Sequence, residues 1–490
     1  MSSAHAALVA AGCCLALANT PAHASPPWAD PQPLNGAHLA AWTQTAGLTL
    51  SMAPAEFGFT PGGTGFAVLG RDAGGLGYTR FAGSRGVFGA VTSSTFRRVI
   101  PTAMALHGQS GVYLAGGADA PSDQRGPGGS PLDAAVTRGN VTGDFPSRQV
   151  LARGFVPKPG ALADPGAAVV TALASNAGGV AAVAVSVPEI GTTRIVGYRS
   201  RLFIRGRGQN LFRRTLDYGR RTVGSSPSAL AVNASGDILL AWDDRQDVRA
   251  RLITANGRIG SEQRLGIGGS AFLGPRFTRI SASIDDRRRM LVGWLAQRAG
   301  SSGNAGGPGI FAAAEAAPGK SFGSQLTLES QLPQGDNALI TGVAVQTAIT
   351  GGRAVVLWTG NDRRKSIVRA ADVAAGSVRG RQSLSAAGQA SRLQGLAIGR
   401  DGHAVAVWTT RGAGLLAATR AAGAKGWGAA ETVSPSVDET GMTNALVAAS
   451  PVSTEAVVVA SGPIPLGSPP LVAPVAAQSV VRLGIGAQAG

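Results

Sequence analysis

Apolar and small residues alternate in short runs along most of this chain, and glycine or aspartate-glycine pairs break the runs at close intervals. The stretch GRDGHAVAVWTTRGAG, residues 399–414, is one such unit. It reads as an Asp401-Gly402 turn, then a strand with Ala404, Ala406 and Trp408 on one side and Val405 and Val407 on the other, then a polar exit. Period-two alternation closed by turn residues predicts β-strands joined by hairpins, because successive side chains of an extended chain point to opposite faces. Stripes at helical spacing are scarce.

The unit repeats. The segment ALAVNASGDILLAWDDRQDVRARLITANGRIGSEQRLG from Ala229 lies beside LQGLAIGRDGHAVAVWTTRGAGLLAATRAAGAKGWGAAETVS from Leu393; each reads as strand, Gly turn, strand ending in Trp, polar turn, strand, Gly turn, strand. Related units begin at Arg279 and Ile340, with a weaker one at Thr443, and upstream Val169, Thr102 and Thr64 open segments that continue the series. The residue closing the second strand falls at Trp242, Trp294, Trp358 and Trp408, in steps of 52, 64 and 50 residues, and Val458 is expected to continue the series. Steps of this size fit four-stranded antiparallel blades with variable loops. The expected architecture is all-β, a single β-propeller of seven or eight four-stranded antiparallel blades filling residues 25–490; several sandwich domains are the alternative that turn spacing leaves open. GAHLAAW at 36–42 is expected either in the first blade or as the strand that closes the ring.

The Gly turn, alternating strand and terminal Trp resemble the β-propeller superfamilies, loosely the sialidase-like and bacterial secreted propellers. The likeness covers most of the chain, but sialidase-type Asp-boxes (Ser-x-Asp-x-Gly-x-Thr-Trp) are missing: Asp401-Gly402 stands too far from Trp408 and in the first hairpin rather than the third. Trp242-Asp243 occurs once, unlike the repeated Trp-Asp of WD40 blades. The resemblance implies a ligand face built by the turns after second strands and the links between blades. It also implies an enzymatic alternative, a glycoside hydrolase or lyase that holds the carboxylate of an anionic glycan with an arginine cluster.

The first 24 residues read as a signal peptide: an apolar run at 6–18, then Pro21 and the small-residue signal Ala22-His23-Ala24 before Ser25. A buried N-terminal helix and a lipoprotein box at AAGC before Cys13 are the competing readings. The run is too short to span a bilayer, and no later segment is apolar for long enough to do so. Both cysteines, Cys13 and Cys14, fall inside it, so a chain cut after Ala24 has no disulfide, zinc thiolate or thiol nucleophile. A secreted or cell-surface protein without a transmembrane anchor is expected, as a monomer and with no cofactor.

A net charge of +17 raises the question of polyanions. The basic residues are nearly all Arg, dense only in RRTLDYGRR at 213–221 and DDRRR at 285–289, and no aromatics interleave to stack bases. Specific nucleic-acid recognition is not expected; attraction to an anionic glycan or surface polymer is, with another protein as the further partner class.

Candidate chemistry gathers just past each Trp. Arg245, Arg298, Arg363 and Arg411 follow their Trp by three to five residues, beside Asp243, Asp244 and Asp362. Guanidinium forks suit carboxylate, sulfate and phosphate groups, so these seven residues form the candidate anion site. Local turn pairing in an Arg-rich chain is the plainer account of the same residues. Gly/Pro-rich insertions at 116–131 and 298–309 follow second strands and are expected to lengthen the same rim. Catalytic residues are unassigned: His38, His107 and His403 lie in separate units, no G-x-S-x-G occurs, and Asp243, Asp244 and Asp247 offer acids without a complete calcium loop. No metal site is expected, and a binding or scaffold module is preferred to an enzyme.

Overall fold

Each alternating run becomes a strand, and neighbouring runs pair as antiparallel meanders. In the computed structural model they form eight sheets, with no helix among the described residues. The structure describes residues 32–33, 56–72, 75–82, 87–88, 92–94, 99–118, 133–155, 166–191, 194–222, 225–269, 279–297, 309–330, 345–350, 352–362, 365–399, 401–434, 445–452, 455–460 and 479–484.

The sheets are the blades: blade 1 spans 56–94, blade 2 spans 99–152, blade 3 spans 169–221, blade 4 spans 228–267, blade 5 spans 280–329, blade 6 spans 345–383 and blade 7 spans 391–434. Blade 8 takes three strands from the C-terminal end, Ala445–Ala449, Glu455–Ala460 and Ser479–Gly484, and its outer strand from Gln32–Pro33. Gln32 stands opposite Val480, so the two ends of the chain close the ring in one sheet. The segment 36–42 lies outside the described residues. The first strands of successive blades neighbour one another in a closed circuit, with Ala445–Ala449 returning to Glu56–Phe59. One ring of eight blades therefore replaces the alternative of separate sandwiches.

This topology gives the ring two unlike faces. Hairpins between strands one and two, and between strands three and four, lie on one, here the hairpin face. Turns between strands two and three lie on the other together with the links from blade to blade, here the link face.

The second strand of each blade is covered on both sides, which is why it reads as a nearly unbroken apolar run. All seven residues of Ala404–Thr410 are buried. Ala404, Ala406 and Trp408 pack with Val355 and Leu357 of blade 6, while Val405 and Val407 pack with Ala456 and Val458 of blade 8. The two sides read from the sequence are thus the contacts with the preceding and following blades.

Trp242, Trp294, Trp358 and Trp408 are almost wholly enclosed and face the preceding blade. Each fully buried large side chain contributes about 1.5–3 kcal/mol. Trp294 donates through Nε1 to the Ile267 carbonyl of blade 4 at 2.9 Å, and Trp358 donates to Glu329 Oε2 of blade 5 at 3.2 Å. Space for the indole comes from a glycine in the fourth strand of the preceding blade: a Cβ on Gly266 would stand 2.8 Å from the Trp294 ring, and one on Gly219 3.0 Å from that of Trp242. In blade 8 the pairing sets Ala460 opposite Ala445, as Trp294 stands opposite Ile280. The Trp position thus falls to Ala460, and Val458 lies two residues short of it.

Candidate functional site

On the link face the acids next to the Trp anchors hold turns. Asp243, 1 % exposed, accepts from the Arg245 backbone N–H at 2.7 Å and the Gly269 N–H at 3.0 Å. It ties the turn after strand two to the link leaving its own blade. The fit is tight, since a Cβ on Gly268 would lie 2.6 Å from Asp243 Oδ1. Asp244 caps the same turn through the Asp247 N–H at 2.8 Å and pairs with Arg249 Nε at 2.8 Å. Asp362 repeats the device in blade 6, accepting from the Gly388 N–H of the outgoing link at 3.0 Å. Asp247 is held by Arg264 at 2.7 Å, and among the described residues no three His, Cys, Asp or Glu side chains gather around a metal position.

Arg245 and Arg411 both occupy exposed turns on this face, and among the described residues neither guanidinium has a hydrogen-bond or ion-pair partner. Arg245 has a φ of 85°, the left-handed backbone region that a side chain with a Cβ enters at a cost. Blades 4 and 7 are three steps apart around the ring, so the two do not form one cluster by themselves. Arg298 and Arg363, of the blades between, lie outside the described residues. The Gly-rich insertions do join second to third strands, as Gly111–Ala118 and Met290–Gln297 end on this face and Gly309–Ala316 resumes the path. Residues 116–118 and 309 belong to these strands, and the rest of both insertions lies outside the described residues.

On the hairpin face arginine has a different use. Arg205, 4 % exposed at the end of the third strand of blade 3, donates to the Gly179 carbonyl at 2.8 Å and to the Tyr113 hydroxyl of blade 2. Arg420, at the same place in blade 7, makes a fork to Asp372 of blade 6 at 2.7 and 3.0 Å. Arg288 of blade 5 reaches back to Asp237 of blade 4. Two others reach forward: Arg289 donates to the Val373 carbonyl of blade 6 at 3.0 Å, and Arg353 of blade 6 to the Ala424 carbonyl of blade 7 at 2.7 Å. Beside them an amide relay crosses three blades, with Asn176 Nδ2 donating to the Asn233 carbonyl at 2.8 Å and Asn233 Nδ2 to the Asp285 carbonyl at 3.1 Å. Reading from the sequence missed these staples. The signal was there: Arg205 and Arg420 end their third strands, and Asn176, Asn233 and Asp285 each follow a first strand.

The histidines are parts of the packing. His107 stacks on Tyr113 at 4.4 Å between ring centres, and burial, then Arg138 and Arg205, depress its pKa to about 4. His403, 2 % exposed, uses its ring and backbone N–H on Asp401 in the first hairpin of blade 7. Burial disfavours the Asp401 carboxylate, yet these His403 contacts hold its pKa below the usual range. His38 lies outside the described residues. Among the described residues, the first strands of the eight blades contain one carboxylate, Glu56. A cleft between blades 6 and 7, lined by Arg353, Asp401 and Arg420, has about 40 Å³, room for a few waters.

Neither a known protein-family profile nor a curated protein matches the sequence. Solved structures with similar folds include the dihydro-heme d1 dehydrogenase NirN, at 12 % identity and a TM-score of 0.42, covering 77 % of this chain and 66 % of that one. The β-propeller domain of the Trilobed protease from Pyrococcus furiosus matches at 9 % identity and a TM-score of 0.36, covering 73 % and 90 %. The six-bladed fungal lectin of Aleuria aurantia matches at 13 % identity and a TM-score of 0.28, covering 56 % and 87 %.

Proposed function

We propose that the protein is an exported binding or scaffold module that takes an anionic ligand, a glycan or acidic surface polymer, on the link face of its ring. The observation that carries this reading is the placement of two arginines at link-face turns. Arg245 and Arg411 each stand exposed just past a Trp anchor, and among the described residues neither guanidinium has a hydrogen-bond or ion-pair partner, whereas Arg205, Arg289, Arg353 and Arg420 are engaged between blades. A free guanidinium fork recognises carboxylate or sulfate by paired charge-assisted hydrogen bonds. The left-handed backbone at Arg245 supports the same reading, because glycine would fill that turn at lower cost and Arg earns its place only through its side chain. Asp243 and Asp362 act one step back, fixing the turns against the outgoing links. Export is proposed from the reading of residues 1–24 as a signal peptide, with both cysteines falling inside that segment.

Calorimetry with an oligogalacturonate at low salt tests the assignment. The double variant Arg245→Ala/Arg411→Ala should lose at least about fivefold in affinity. Unchanged affinity in that variant, or equal binding of a neutral oligosaccharide, overturns it.

A further inference from the structure

We infer that the outer half of blade 3 is a second anion-binding surface, distinct from the link face, which takes a linear acidic polysaccharide along the perimeter of the ring. The charge is strongly local. Residues 169–221 contain nine arginines against Glu189 and Asp217, a net +7 of the chain's +17, while residues 228–267 of blade 4 contain five basic and five acidic residues.

Strand register places four of these arginines, with both acids, on one side of the outer strands. Val185 and Val187, buried against blade 2, stand opposite Arg201 and Arg199, which stand opposite Asp217 and Arg220. The cations therefore begin where the contact with blade 2 ends. Paired positions are about 5 Å apart across strands and about 7 Å apart along one, so Arg199, Arg201, Arg214 and Arg220 make a small grid.

Arginines directly opposite one another repel, and Glu189 makes the Arg199–Arg220 pair tolerable by pairing with Arg199 Nε at 2.6 Å and accepting from Arg220 Nε at 2.5 Å. Asp217 holds Arg214 Nε at 2.8 Å. These contacts engage the Nε side of Arg199 and Arg220, and Arg199 Nη1 also stands 3.7 Å from Asp217 Oδ2. The arginines are the more exposed: Arg220, Arg214 and Arg199 are 65 %, 52 % and 42 % open, against 19 % and 25 % for Glu189 and Asp217.

The two acids do not balance the patch. Among the described residues Arg201 Nε has no hydrogen-bond partner, and the nearest carboxylate oxygen of Asp217 is 4.0 Å away. Burial first, then Arg214 and Arg199, lower the Arg201 pKa in spite of Asp217 and Glu189. A repeating polyanion supplies the missing charge at several points together. Tyr198 and Tyr218 belong to the other side of the blade, where Tyr218 packs on Trp242, so bases would find no stacking platform among the arginines. The sugar polymer, with carboxylate or sulfate groups, is the occupant that this chemistry favours over a nucleic acid.

The test is retention of the chain on dextran sulfate and on polygalacturonate, eluted by salt, with neutral dextran as control. Arg199→Ala/Arg220→Ala should weaken binding about tenfold and flatten its salt dependence, and should do so again in the Arg245→Ala/Arg411→Ala background, where the link face no longer contributes; the polymer that shows the effect identifies the anion. Glu189→Gln, which removes a negative charge and frees two Nε donors, should raise the eluting salt concentration, an outcome that loss of folding cannot imitate. No change on either polymer, or retention on single-stranded DNA alone, overturns the inference. Loss only in the link-face variant would overturn it while leaving the proposed function standing.

Discussion

Arg288 in the first hairpin of blade 5 grips Asp237 at the start of the second strand of blade 4 through two parallel hydrogen bonds, Nε to Oδ2 at 2.8 Å and Nη2 to Oδ1 at 3.1 Å. Asp237 is 1 % exposed and also accepts from the Ala255 N–H at 2.9 Å and Asn233 Nδ2 at 3.1 Å. One carboxylate thus joins a blade to its neighbour and to its own second hairpin. Burial opposes its ionisation, but Arg288, Ala255 and Asn233 hold its pKa below the usual carboxylate value.

Asp237→Ala should therefore destabilise the ring by about 2–3 kcal/mol, because it leaves buried donors without an acceptor. Arg288→Ala should have a smaller effect, since solvent can satisfy what remains. A carboxyl with a depressed folded pKa stabilises above its unfolded value of about 4, and that stability is lost as pH falls below it. Thermal melts from pH 6 to pH 3 should show a steeper acid slope for the native chain than for Asp237→Asn; equal slopes would remove Asp237 from this role.

The acid response should begin earlier because of His107. In the unfolded chain it takes up a proton near pH 6.5, whereas in the fold its pKa lies at about 4. The unfolded state binds more protons between those values, so stability should fall as pH drops through that window and level off below it. His107→Phe, which keeps a ring against Tyr113, should flatten the melting temperature between pH 6.5 and 4. A variant with the native pH dependence there would contradict this.

Binding and stability should separate at adjacent residues of one turn. Asp243→Ala should cost about 2 kcal/mol, because the Arg245 and Gly269 N–H groups lose their acceptor. Arg245→Gly should leave stability unchanged or raise it by up to about 1 kcal/mol, by relieving the left-handed backbone, while weakening anion binding. Urea unfolding of the two variants, paired with calorimetry, checks both halves.

The four Trp anchors should not be equal. Trp294 donates to the Ile267 carbonyl, whereas Trp408 Nε1 is buried with no hydrogen-bond partner among the described residues. Both lose comparable apolar contact on replacement by Phe, so Trp294→Phe should cost about 1 kcal/mol more than Trp408→Phe. The same cost in both, measured by chemical denaturation, would show that the Trp294 hydrogen bond contributes nothing net.

Much of the ring was legible in the sequence because its signals are local. The Asp401-Gly402 turn, the two-sided strand Ala404–Thr410 and the Trp spacing each depend on residues close along the chain, and each kept its predicted place. Closure was not legible. Gln32–Pro33 pairs with a strand near the other end of the chain, and two residues without a pattern give no sign of such a partner. For the site, the sequence found the link-face turns and the exposed positions of Arg245 and Arg411. It could not tell that Asp243 is enclosed and spent on a distant Gly269 N–H, nor that Arg205 and Arg420 are spent on neighbouring blades.

The chain's own pattern determined the strands, their two apolar sides and the repeated blade, because backbone alternation and turn residues act within a few positions. Tertiary structure alone decided the closing of the ring at eight blades, and which arginines bridge blades and which remain open to a ligand. The physical reason is that an Arg in a β-turn reads the same in sequence whether or not a carboxylate or carbonyl from another blade stands within hydrogen-bond reach. Packing of the ring supplies that neighbour or withholds it.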